Sequence, residues 1–204
     1  MLVLQSCDLL DDCMRIILAS SSPFRKELFA RLLLPFECFS PHIDESSKPG
    51  EPHEALVRRL SEEKAMKAAQ RFPNSLCIGA DEIASFNGSI LLKPENHETA
   101  IEHLRAMRDK WVTFLTGTSV FNPKTEKTQT IVVPTKIHFK PLTDEMIENY
   151  LLKVKPYQCA ASFQSETLGS ALIDKFESED PTAIIGLPLI ALTKILEEAG
   201  VSVL

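Results

Sequence analysis

A chain of 204 residues that is 44% hydrophobic and 25% charged has the make-up of an ordinary soluble globular protein with enough apolar content to bury a core. Its 22 basic and 28 acidic residues leave a net charge of −6, which argues against broad electrostatic binding to a nucleic acid polymer. An anionic ligand must therefore meet a local basic cluster or a metal ion.

The opening stretch, MLVLQSCDLLDDC, lacks the basic start and continuous apolar core of a signal peptide, and no run of about 18 apolar residues follows that would span a membrane. Residues 1–13 read as an extension with little structure of its own, Met14 as a plausible start, and residues 14–204 as a single domain. The five cysteines are scattered without a C-x-x-C pair and sit mostly in apolar runs, as expected for reduced thiols in a cytoplasm. Among the histidines, His97-Glu98 and His103 miss the H-E-x-x-H spacing of a zinc helix.

Strands are expected at 15–20, 36–40 and 76–83, alternating with helices at 23–33 and 52–70. In the second helix Ala55, Leu56, Leu60, Lys64, Ala65 and Ala68 recur at helical spacing. Asn87-Gly88 marks a tight hairpin, followed by a helix over about 98–107. Two β-rich segments, 111–122 and 128–140, read as a hairpin across the turn-like NPKTEK. Thr143 caps a further helix. Residues 156–167 read as irregular, 169–177 as a strand and 187–199 as an amphipathic helix stopped by Gly200. Early strand–helix alternation with later antiparallel strands predicts an α/β fold: a mixed, partly antiparallel sheet flanked by helices.

Polar groups gather at predicted strand ends, where open α/β sheets bind ligands. In ILASSSPFRKEL, residues 17–28, Ser20 to Ser22 and Pro23 make a helix N-terminus, which is either a cap alone or an anion site as well. Asp44-Glu45 follows the second strand, Asp81-Glu82 emerges from an apolar run, Lys64 lies on the intervening helix and Lys93 follows the hairpin. Singly each has a bland reading as a turn, loop or surface charge. Together they offer carboxylates for a divalent cation and cations for phosphate.

The motifs ILASSSPFRKEL, IDE at 43–45, EKA at 63–65, IGADE at 78–82, LKP at 92–94, LTG at 115–117 and IIGLPL at 184–189 occur in the order seen in the Maf family of nucleotide pyrophosphatases, which the chain resembles from about residue 15 to 200. CAASFQSETLG at 159–169 further resembles the branch of that family that hydrolyses 7-methyl-GTP. The resemblance implies a two-lobed, inosine triphosphatase-like fold with a cleft, and a homodimer. It also implies cleavage between the α and β phosphates of a nucleoside triphosphate. Ser20, Arg25 and Lys26, helped by Lys64 and Lys93, would hold the triphosphate. Glu45 and Asp81 would carry magnesium or manganese, Asp81 doubling as proton acceptor, with Lys64 beside them in the catalytic group. Phe24, Glu82 and Glu166 fall at the specificity positions. A stacking face and carboxylates suit a methylated, positively charged guanine.

Two rivals have different signatures. A serine hydrolase needs a nucleophile elbow, and no G-x-S-x-G is present. Against a nucleotide-binding, division-regulating protein with little catalysis speak Arg25, Lys26, Glu45, Lys64 and Asp81, all retained. A pyrophosphatase of the same kind acting on dTTP, UTP or another modified nucleotide differs from the 7-methyl-GTP reading only in the base pocket.

Overall fold

The computed structural model describes residues 14–204; the expectation for residues 1–13 lies outside them. In chain order the elements are β1 (Ile16–Ala19), α1 (Pro23–Ala30), β2 (Glu37–Cys38), α2 (His53–Arg71), β3 (Leu76–Phe86), β4 (Ser89–Leu91) and α3 (His97–Met107). Then follow β5 (Trp111–Asn122), β6 (Lys127–Phe139), α4 (Asp144–Val154), β7 (Ile173–Ser178) and α5 (Leu189–Glu198). One mixed sheet runs β2-β1-β3-β5-β6-β7, with β4 added to β3. The pairs β1–β2 and β1–β3 are parallel, and the rest are antiparallel. The expected α/β architecture with flanking helices is what forms.

Three boundaries move, each for a local reason. The expected strand at 36–40 shrinks to the two-residue edge strand β2, pinned to β1 by the bidentate Arg15–Glu37 pair at 2.7 Å. Helix α1 stops at Ala30, and Leu33 turns left-handed at φ 57°. The last strand begins at Ile173 because residues 168–172 wind into a 3-10 turn that packs Gly169 against the Gln164 carbonyl. The Asn87-Gly88 hairpin forms as expected, with φ of 50° and 78°, the left-handed pair that a tight turn demands.

Side chains alternate across a strand, so β3 and β5 each feed two faces. On one face Ile78 and Ala80 join Val120, Leu187 and Leu192 in one apolar cluster, while Ala84 and Phe86 join Val112, Phe114 and Leu104 in another. Between them on the same face stand Glu82, Thr116 and Thr118, a polar break separating two lobes of core. The opposite face carries α2, whose Leu56, Val57 and Leu60 cover Ile83.

Helix α2 lies unusually close to the sheet, and two glycines permit it. A methyl group on Gly79 would sit 2.1 Å from the Ser61 carbonyl oxygen and 2.5 Å from the Ala65 nitrogen. One on Gly117 would meet Val57 at 2.7 Å. Backbone atoms cannot yield to that intrusion, so both positions require glycine. Lys64, one turn beyond Ser61, is thereby brought down onto β3.

Candidate active site

The edge of β3 that faces β1 is occupied in two pieces. Leu76 to Gly79 pair with β1 and Ala84 to Phe86 pair with β4, leaving Ala80 to Ile83 without a strand partner on that side. The chain leaves β1 directly into Ser20, and leaves β4 through Leu92 into Lys93. Both excursions flank the gap, and Asp81 and Glu82 lie within it. This is the crevice geometry in which open α/β sheets hold ligands.

Below the gap, Ser22 caps α1, its Oγ accepting from the Arg25 amide at 3.4 Å, with Pro23 opening the helix. The buried Ser20 Oγ accepts from the Ser22 amide at 3.1 Å, which leaves its own hydroxyl proton to donate. Arg25 Nε donates to the Gly186 carbonyl at 2.8 Å. Gly186 has φ 109°, and a methyl there would come within 3.0 Å of that same Nε. The glycine of the IIGLPL segment thus aims the arginine fork, leaving its terminal nitrogens for an anion.

On the α2 face, Lys64 Nζ lies 2.6 Å from Glu45 Oε1 and 2.6 Å from Asp81 Oδ1. Lys64 and Asp81 are both buried, and a buried lysine is tolerated when its charge is paired in this way. Partial burial alone would raise the Glu45 carboxyl, but the Lys64 ammonium outweighs it, with Lys93 and Arg25 adding to the pull, and holds it below its ordinary range. The same field therefore connects the loop of Glu45, the end of β4 and the start of α1.

On the other face, burial pushes Glu82 up to about 8 against the pull of Arg25, with Asp81 and Glu166 adding repulsion. Thr116 Oγ1 contacts Glu82 Oε2 at 3.1 Å and the Ala183 carbonyl at 2.8 Å. One hydroxyl proton cannot serve both acceptors. With Thr116 donating to Ala183, a protonated Glu82 completes the other contact as donor. Cys159 stands close enough to Glu166 and Glu82 for their charges to reinforce its burial, which pushes the thiol up to about 11.

The family model described as Maf-like protein matches residues 15–199. The chain belongs to the Maf family. The 7-methyl-GTP pyrophosphatase of Nitrosococcus oceani is 49% identical over 189 residues, covering 93% of this chain and 95% of that protein. The 7-methyl-GTP pyrophosphatase of Pseudomonas aeruginosa is 48% identical over 188 residues, covering 92% and 98%. That of Methylobacillus flagellatus is 48% identical over 189 residues, covering 93% and 98%.

Within this Maf chain the structure brings together Ser20, Arg25, Glu45, Lys64, Asp81 and Glu82, with Lys93 and Glu166 exposed nearby and felt electrostatically. Phe24 is partly exposed at the start of α1. Lys26 is not drawn in: it is exposed and makes no ion pair among the described residues. Two contributors escaped the sequence reading. Thr116 lies in the recognised LTG stretch, where its i, i+1 relation to Gly117 places it on the face opposite α2. Gly186 lies in IIGLPL, where a glycine before Leu-Pro signals a positive φ.

A divalent metal ion would be held here by carboxylates. Glu45 Oε1 and Asp81 Oδ1 both approach the Lys64 ammonium at 2.6 Å, so an ion held by these hard oxygens would share them with Lys64. Two carboxylates would suit the oxygen-ligand habits of magnesium or manganese better than those of zinc.

Proposed function

We propose that this Maf-family enzyme hydrolyses 7-methyl-GTP between its α and β phosphates, water supplying the new oxygen, to give 7-methyl-GMP and pyrophosphate. The observation that carries the reading is the gap in β3. There an acidic pair locked on one lysine faces an anion-binding helix N-terminus, and a second acidic pair waits on the neighbouring face. The names of the relatives support the same substrate.

In this reading Ser20, the N-terminus of α1 and Arg25 bind the phosphate chain, and Lys93 approaches it from the end of β4. Asp81 accepts the proton of the attacking water, its carboxylate oriented by the ion pair to Lys64. A divalent ion held by Glu45 and Asp81 would neutralise phosphate charge and lower the pKa of the water. Phe24 offers a ring face for stacking and cation–π attraction to the charged base. The Glu166 carboxylate, and the carbonyl oxygen that protonated Glu82 keeps free, accept hydrogen bonds from its Watson–Crick edge.

The reading extends to a homodimer, following the family resemblance, and to a cytoplasmic setting. Supporting the latter, Cys38, Cys77 and Cys159 are free thiols. The test is pyrophosphate release by the purified protein. Release that needs magnesium or manganese and disappears in Asp81→Ala supports the reading; release of orthophosphate, or none, contradicts it.

A further inference from the structure

Glu45 is the member of the acidic pair with the least structural support of its own. It lies in a segment, residues 39–52, that has no helix or strand, and its side chain is 57% exposed. Nothing in a sheet ladder or helix fixes where its carboxylate stands. Yet it sits 2.6 Å from Lys64, so the loop must be held by side chains.

Arg59 supplies that hold from α2, about one turn before Lys64. Its Nε donates to Glu51 Oε1 at 2.7 Å and its Nη2 to Glu51 Oε2 at 2.8 Å, a fork-to-fork pair. The same Nη2 donates to the Ser46 carbonyl at 3.0 Å, the residue next to Glu45. Glu51 Oε2 in turn accepts from the Lys48 amide at 3.0 Å. Side chains of Arg59 and Glu51 are only 17% and 10% exposed, so this pair is screened less than an ordinary surface ion pair.

We infer that Arg59 is a positioning residue of this enzyme: with Glu51 it buckles the loop of residues 44–51 onto α2 and thereby delivers the Glu45 carboxylate to the metal-binding point beside Lys64 and Asp81. Arg59 touches neither phosphate nor base in this account. It acts through Ser46 and Glu51, and a lysine, lacking the planar fork, replaces it poorly. The inference rests on the reading of Glu45 as a metal ligand given above, and the experiment separates the two.

The experiment compares the full-length protein with Arg59→Ala, Arg59→Lys, Glu51→Gln, Glu45→Gln and the Arg59→Ala/Glu45→Gln double variant. Thermal melting identifies any variant that fails to fold, in which case Arg59→Lys and Glu51→Gln carry the comparison. Two readouts are taken: amide hydrogen exchange of residues 44–51 without metal or nucleotide, and the magnesium concentration giving half-maximal pyrophosphate release. Arg59→Ala is expected to speed loop exchange about 10-fold or more and to raise the magnesium half-point about 10-fold, with kcat at saturating magnesium within about 3-fold of wild type. Glu51→Gln shifts both in the same direction, Arg59→Lys restores them only in part, and in the Glu45→Gln background Arg59→Ala adds no further magnesium shift. Unchanged loop exchange in Arg59→Ala, or a kcat loss with an unmoved magnesium half-point, overturns the inference. Faster exchange in Arg59→Ala combined with normal magnesium dependence in Glu45→Gln supports the buckle and overturns the functional reading of Glu45 instead.

Discussion

Asp81 and Glu82 are neighbours in sequence that serve opposite faces of β3: Asp81 turns to α2 and pairs with Lys64 at 2.6 Å, while Glu82 turns away and meets Thr116 at 3.1 Å. Strand alternation makes this unavoidable. One dipeptide thus supplies a lysine-paired carboxyl on one side and a carboxyl with a very different environment on the other. The gap in the β3 edge gives both faces access to a single crevice.

The two partners of the Lys64–Asp81 pair should fail in different ways. Asp81→Asn keeps the shape and leaves Lys64 paired with Glu45, so it is expected to lower kcat by about 100-fold or more while costing under about 1 kcal/mol of stability. Lys64→Met strips the cation from two carboxylates, one of them buried, and is expected to cost about 2–4 kcal/mol as well as activity. Urea unfolding alongside pyrophosphate release checks both. Equal destabilisation by the two variants would contradict the arrangement.

Gly79→Ala is expected to cost about 3 kcal/mol and most of the activity, because the new methyl meets α2 backbone at 2.1 Å and must push Lys64 off β3. Gly50→Ala makes the control: its φ is 72° but nothing lies within 4 Å, so only the left-handed backbone is strained, at about 1–2 kcal/mol. Melting curves and turnover of the pair separate close packing from backbone strain.

Glu82 sets a pH dependence of stability. Its carboxyl rises from the ordinary 4.5 to about 8 through burial, so the folded protein binds a proton there that the unfolded chain releases above pH 4.5. The stabilisation from that bound proton is present below pH 4.5 and is lost as pH rises through about 8. Glu82→Gln keeps a donor for Thr116 without a titrating group. It is expected to flatten this slope and to be about 1–2 kcal/mol more stable than wild type near pH 7.5. Unfolding measured from pH 5 to 8.5 tests the sign.

Thiol reactivity should divide the cysteines. Cys38 is exposed, whereas burial pushes Cys77 and Cys159 to about 11, leaving roughly one thiolate in a thousand at pH 8. Alkylation followed by peptide mass spectrometry is expected to label Cys38 at least about 100-fold faster than either. Rapid labelling of Cys159 would mean that it does not sit among the acidic groups described.

The sequence made some of this legible because the signals were local. Asn87-Gly88 announces the hairpin, the β-rich composition of 111–122 announces β5, and Ser22-Pro23 announces α1, and each forms within a few residues of its expected place. The short length of β2 and the start of β7 were not legible, since β2 is pinned by an Arg15–Glu37 pair and β7 follows a 3-10 turn folded against residue 164. Most of the site was visible as motifs in order, yet its wiring was not. That Lys64 bridges Glu45 and Asp81, that Gly186 aims Arg25, and that Arg59 holds the loop through Glu51 are long-range contacts with no periodic trace in the sequence.

The base preference tests the account most directly. With purified full-length protein, magnesium and 7-methyl-GTP, GTP, dTTP and UTP supplied in turn, kcat/KM for pyrophosphate release is expected to be at least about 10-fold higher for 7-methyl-GTP than for any of the others, since one to two kcal/mol of cation–π and carboxylate attraction is available only to the charged base. Turnover of dTTP or UTP equal to or better than that of 7-methyl-GTP would contradict it.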